Sequence, residues 1–227
     1  MISKQQVLHW DIVTWSRALS FWEKKGIPLL PKTARGLEIG AWNGGISAYF
    51  AQKGFSMICS DIEPIAASTR NFHQEINLDH LIEYQTFSAT DIPWPDFSFD
   101  FVVFKSVLGA LGQSEHLVLQ KLAMYEIQRV LKPEGILFFA ENMLGSPFHQ
   151  FARRNFVPWG KNWRYLSLKE MQRLLSIFKQ RELKSTGFFA AFISKPDWVN
   201  SMVTQVDALL FWLPESWRYV GYGYAVK

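Results

Sequence analysis

The stretch RGLEIGAWNGGISAYFAQKG, Arg35 to Gly54, carries the residues best suited to hold a ligand. An apolar run meets a turn holding Gly40, Gly44 and Gly45, and a helix-like segment follows. Glycines let the backbone approach a bound molecule and adopt conformations that side chains forbid. In parallel sheets, ligands lie beyond the carboxyl ends of the strands. A dinucleotide turn wants G-x-G-x-x-G, whereas the spacing here is G-x-x-x-G-G. The competing pattern places an acid two residues before the first glycine: Glu38-x-Gly40-x-Trp42-x-Gly44.

A second concentration of chemistry is FHQFARRNFVPWGKNWRYLSL. It holds Arg153, Arg154, Lys161 and Arg164 among Trp159, Trp163 and Tyr165. Aromatic faces stack on sugars or flat rings, and guanidinium groups pair bidentately with carboxylate or phosphate. The histidines are His9, His73, His80, His116 and His149. His73 and His80 are expected at the surface, away from the cleft. Asp11, Asp91 and Glu141 are too scattered to predict a metal site.

The elements that must position these residues alternate. Strands are expected at GLEIG, FSMICSD, LIEYQTF, FDFVVFKSV and GILFFAE, with helices between them. Pro64 is expected at a helix entry. FDFVVFKSV is nearly all apolar, as strands covered on both faces are. The alternation predicts βαβ units and a parallel sheet with helices on both faces. Ser167 and Glu170 predict a capping box, and ELKSTGFF and YVGYGYAVK two late strands. Val7, Ile12, Trp15, Leu19 and Trp22 predict one amphipathic N-terminal helix. The expected organisation is a single domain over 1–227. It has a helical cap over 1–30, a substrate-side loop over 142–166 and a helical insertion over 196–216.

Composition narrows the class. With 227 residues and 48% hydrophobic content the chain can bury its own core. A net charge of +4 is too mild to indicate nucleic acid without a clustered patch. Cys59 is the one cysteine, so no internal disulfide can form, and a reducing compartment fits. The N-terminus lacks a signal-peptide layout, and no apolar run reaches the ~18 residues of a spanning helix. A soluble cytoplasmic protein is expected, monomer or homodimer. The apolar segment VDALLFWLPESWRYVGYGY leaves core packing, a dimer contact or a peripheral membrane contact open, with core packing preferred.

The Glu38–Gly44 pattern resembles the first motif of the class I S-adenosylmethionine (SAM)-dependent methyltransferases. Three further segments match that family in order: CSDIEP, ATDIPWPDFSFDFVVFKSVLGAL and EIQRVLKPEGILFFAEN. The resemblance covers about residues 33–195. It implies a doubly wound, Rossmann-like, seven-stranded, mainly parallel α/β sheet, with SAM as cofactor and its demethylated product SAH. Asp61 falls where the family grips both ribose hydroxyls, and Ile62 where an adenine face packs. Gly40, Gly44 and Glu38 would serve the turn, with Glu38 facing the cofactor. Trp42 replaces the middle glycine and would line the cofactor or substrate pocket. Ser88, where an adenine-binding Asp is common, would meet the adenine with Ala89. Lys105 would approach the methionine end or an acidic substrate group.

The segment after strand five overlies the substrate side in this family. His149 is thus implied as base, with Arg153, Arg154 and Trp159 on the substrate. The expected reaction is O-methylation of a hydroxyl on a small anionic ring compound, such as a sugar or glycan. The alternatives are RNA or protein methylation, or a non-catalytic binding subunit.

Overall fold

The computed structural model describes residues 2–113, 117–157, 162–189, 203, 207 and 212–227. Seven strands form one sheet: β1 (Arg35–Ile39), β2 (Ser56–Asp61), β3 (Ile82–Thr86), β4 (Phe99–Lys105), β5 (Leu131–Asn142), β6 (Gln180–Thr186) and β7 (Val220–Val226). Their order is β3-β2-β1-β4-β5-β7-β6. β7 runs antiparallel to both β5 and β6, and the remaining pairs are parallel. The order reverses between β1 and β4, which creates the crevice where ligands of such sheets lie.

Period-two alternation gives the sheet two buried faces. Met57, Cys59, Phe101, Val103, Ile136 and Phe138 point to one core. Leu37, Ile39, Ile58, Val102, Phe104 and Phe139 point to the other. Helices α1 (Lys4–Leu8), α2 (Ile12–Lys25) and α3 (Gly45–Ala51) contribute to the first core; α6 (Leu117–Val130) and α8 (Leu168–Leu174) contribute to the second. The helices α4 (Ala67–Glu75), α5 (Leu108–Leu111) and α7 (Pro147–Phe156) complete the set used below.

Several expectations change. The N-terminal segment is two helices rather than one. His9 and Asp11 adopt φ of 66° and 44°, which breaks the helix and turns Trp10 outward. Pro64 precedes the α4 N-cap, Ala66, instead of entering the helix; residues 64–66 are non-helical. The segment over 142–166, which shows no period in sequence, contains α7, started by Ser146 and Pro147. The Ser167–Glu170 capping box forms as expected. His116 and most of 196–216 lie outside the described residues; Val203 and Asp207 are helical. The last strand joins the core through Val220, Ala225 and Val226, whereas Trp212 and Trp217 remain exposed.

The two ends of the chain are tied across the first core. Trp22 is 1% exposed, packs on Phe138 and donates from Nε1 to the Gly223 carbonyl at 2.9 Å. Trp22→Ala removes a large buried ring and leaves that carbonyl short of a donor. It is expected to cost about 3–5 kcal/mol, measured as a lower urea midpoint with unchanged far-UV circular dichroism of the folded state.

Candidate active site

Glu38 organises the end of β1. Its Oε2 accepts the Ser47 backbone N–H at 2.7 Å and the Ser47 hydroxyl, which ties the strand end to the first turn of α3. Gly40 and Gly44 have φ of 66° and 68°, so the turn between strand and helix needs residues tolerant of that region. A Cβ at Gly40 would lie 2.5 Å from Val107 Cγ2. Trp42 shares the positive φ at 48°. Its backbone N–H donates to Asp61 Oδ2 at 2.7 Å, and Ile62 N–H donates to Asp61 Oδ1 at 2.7 Å. Asp61 thus clamps the glycine turn to the end of β2, yet each oxygen keeps a lone pair for a further donor.

A cavity of about 1390 Å³ opens over these strand ends. One drug-sized ligand needs about 300–1,000 Å³, so there is room for two small molecules together. Glu38, Gly40, Trp42, Asp61, Ile62, Ala89 and Lys105 all line it, as do His149 and Arg153. Ile62 is 64% exposed, an aliphatic side chain presented beside the Asp61 carboxylate.

The remaining expected site residues part from this group. Gly44 serves the turn from behind: His73 Nε2–H donates to its carbonyl at 3.0 Å. His73 is therefore no surface residue; it is fully buried and also bonds the Tyr84 hydroxyl. His80 is exposed, as expected. Ser88 is absent from the cavity wall, because its Oγ turns to the Thr90 hydroxyl at 2.8 Å and the Thr90 N–H. Arg154 is exposed and outside the wall, one residue off the inward face of α7. Trp159 lies outside the described residues.

His149 departs most from expectation. Its Nε2–H donates to the Phe188 carbonyl at 2.9 Å, and its Nδ1 meets the Ser146 N–H and hydroxyl. Both ring nitrogens are committed to capping α7 and holding the 188 loop. Burial, with the Arg153 charge added, pushes its pKa down to about 4. The expected base is a neutral structural cap. Arg153, one helical turn on, donates from Nη1 to the carbonyls of Met143 and Leu144 and lies over the Tyr165 ring, 3.9 Å from its centre. Its other guanidinium nitrogens make no bond among the described residues.

Among the wall residues not expected to bind a ligand are His9, Trp10, Asp11 and Trp15. The broken α1–α2 corner delivers them, and Tyr219, just before β7, holds Asp11 through its hydroxyl. Lys105 Nζ lies 3.0 Å from the Trp10 ring centre and 4.6 Å from that of Trp15. Burial pushes Lys105 down to about 7, against the pull of Glu141, Glu38 and Asp11. Glu141 was expected only as a scattered acid. It is fully buried and accepts the Val107, Leu108 and Asn142 N–H groups, which anchors the start of α5. Among the described residues no group of acids, histidines and cysteines has the arrangement of a metal site.

Burial pushes Glu38 from its ordinary 4.5 up to about 8. The native state thus holds that proton more tightly than the unfolded chain, and its contribution to stability falls as pH rises from about 4.5 to about 8. His149, depressed to about 4, pulls oppositely at lower pH. The difference between wild type and Glu38→Gln isolates the Glu38 part. The variant is expected to lose the downward slope between pH 5 and about 8, read from urea midpoints across that range. Parallel curves would remove Glu38 as the source.

Comparison with known proteins follows the same lines. Residues 37–139 match a family model described as a methyltransferase domain. The chain is 27% identical over 191 residues to a glycine/sarcosine/dimethylglycine N-methyltransferase of Actinopolyspora halophila. That alignment covers 71% of this chain and 32% of the relative, so the chain spans about a third of the relative's length. The [4+2]-cyclase SpnF superimposes with a TM-score of 0.63 at 18% identity, over 93% of this chain and 80% of that one. A Haemonchus contortus phosphoethanolamine N-methyltransferase 2, solved with phosphomonomethylethanolamine and S-adenosylhomocysteine, gives 0.63 at 17%, over 94% and 52%. These structures share the fold.

Proposed function

We propose, on the premise that this chain carries a class I SAM-dependent methyltransferase domain, that it methylates a small acceptor bound between the 9–11 corner and α7. SAM supplies a methyl group already activated on a sulfonium. The residues present fit that cofactor. Asp61 has lone pairs left for a ribose diol, and Ile62 is exposed beside it. Gly40 keeps the backbone bare at the crevice. Glu38 Oε1, with no protein partner among the described residues, lies at the end of β1 where Glu38 lines the cavity. The protein's work is to align acceptor and methyl group and keep water out.

The observation that carries the acceptor reading is Arg153. Two backbone carbonyls and the Tyr165 ring fix its guanidinium in the cavity wall, with nitrogens left to pair with an anion. Methylation of a hydroxyl usually asks for a base at the acceptor, and His149 is committed elsewhere. An amine that has shed its proton needs none. The related enzymes are named for glycine, sarcosine and dimethylglycine, or hold phosphomonomethylethanolamine. Each is a small amine with a carboxylate or phosphate. We therefore favour N-methylation of a small anionic amine over O-methylation of an anionic sugar. A cytoplasmic setting and a monomer or dimer remain part of this reading; no described helix is long and apolar enough to cross a membrane.

Two measurements test it. Asp61→Ala is expected to weaken SAH binding by about 2–4 kcal/mol in calorimetry, because the diol loses a charged acceptor. Unchanged affinity would remove the cofactor assignment, and with it the enzymatic reading. A panel of amino acids, phosphoethanolamines and uronic acids should then yield methylated amines. With the acceptor found, Arg153→Ala is expected to raise its KM about tenfold or more with little change for SAM. Turnover confined to uronic acids would return the hydroxyl reading.

A further inference from the structure

Lys105 sits in unusual company. Its ammonium lies 3.0 Å from the Trp10 ring centre and 4.6 Å from that of Trp15, which are themselves 6.2 Å apart at 74°. Trp42 continues the wall, 5.6 Å from Trp10. No carboxylate comes within ion-pair distance of Lys105 among the described residues. An ammonium is compact, strongly hydrated and carries three donors, and indole faces satisfy none of them fully. The place attracts positive charge but suits a lysine poorly.

We propose that Trp10 and Trp15, with Trp42 beside them, form a cation-binding box for a methylated ammonium group, and that Lys105 occupies it while no such ligand is bound. A methylated ammonium has few or no N–H groups to satisfy, so aromatic faces serve it better than they serve lysine. The charge of Asp11 favours a positive group at this point, and Glu141 and Glu38 add to it when they ionise. Lys105 can shed its proton near neutral pH and withdraw. A quaternary nitrogen cannot shed its charge. The left-handed His9 and Asp11 hold Trp10 out of the helix and over the cavity, a strained corner of the kind found at binding sites. The box and Arg153 line one cavity, so a ligand with a methylated nitrogen and an anionic group could engage both. This describes the methylated product, or the acceptor before it sheds its proton, and rests on reading the cavity as the acceptor site.

The probe is tetramethylammonium chloride, which cannot accept a methyl group, added to the full chain without SAM. Binding is read from the line width of its methyl protons, with sodium chloride as the ionic-strength control. Saturable binding is expected. Lys105→Met removes the internal competitor and is expected to tighten it by about threefold to thirtyfold, the span of a cation–π contact. Trp10→Leu should lose binding by a similar factor or more. Trp10→Phe, which keeps a weaker ring and guards against a collapsed corner, should fall between. Equal or weaker binding by Lys105→Met, wild-type binding by Trp10→Leu, or the same broadening with no saturation would overturn the box. A failed box leaves methyl transfer untouched. A folded chain that binds the probe but transfers no methyl group would instead sink the enzymatic reading alone.

Discussion

Everything in the cavity depends on how the chain leaves β1. A buried acid, Glu38, holds the start of α3 through Ser47, and Asp61 holds the turn between them through the Trp42 N–H. Two acids on adjacent parallel strands thus fix a turn in which Gly40, Trp42 and Gly44 all have positive φ. Burying Glu38 is costly, and its raised pKa records that cost. The return is a backbone that stays bare and aimed at the crevice. The same carboxylates keep lone pairs directed at whatever enters. The same two side chains therefore anchor the turn and still line the cavity, with other oxygens or lone pairs left over.

The cavity's other wall is built from the chain's two ends. The α1–α2 corner would have no reason to stay bent by itself. Tyr219, at the entry to the last strand, grips Asp11, and Trp22 grips Gly223, so the antiparallel β7 acts as an anchor for the N-terminal helices. Tyr219 also stacks on His149, 5.4 Å away, which couples the corner to α7. This wall is thus a ring of contacts running from residue 9 to residue 219. The cavity it closes is large enough for the cofactor and acceptor proposed above.

Histidine roles show how burial reassigns chemistry. His149 and His73 differ in sequence context, yet each uses both ring nitrogens to satisfy buried groups. Buried polar groups need partners, and a neutral imidazole offers one donor and one acceptor. Such a histidine is a fastener. Lys105 is the contrasting case, a cation placed against rings with no ion-pair partner among the described residues.

The sequence by itself determined the seven strands, the two-faced core and the glycine turn with its acids. These follow from period-two patterning, apolar runs and local backbone demands, all written within a few neighbouring residues. It also marked the Ser167 cap, whose geometry spans four residues. What it could not decide was which side chains meet across long separations. Trp10 reaches Lys105, Asp11 reaches Tyr219 and His149 reaches Phe188 only after the sheet has formed and β7 has paired between β5 and β6. The break between α1 and α2 is tertiary too, since the spacing of Val7, Ile12 and Trp15 fits one helix. Packing on the core and the grip on Asp11 favour the bend instead. Local patterns write the scaffold, and long-range contacts choose which of its polar groups are left free to act.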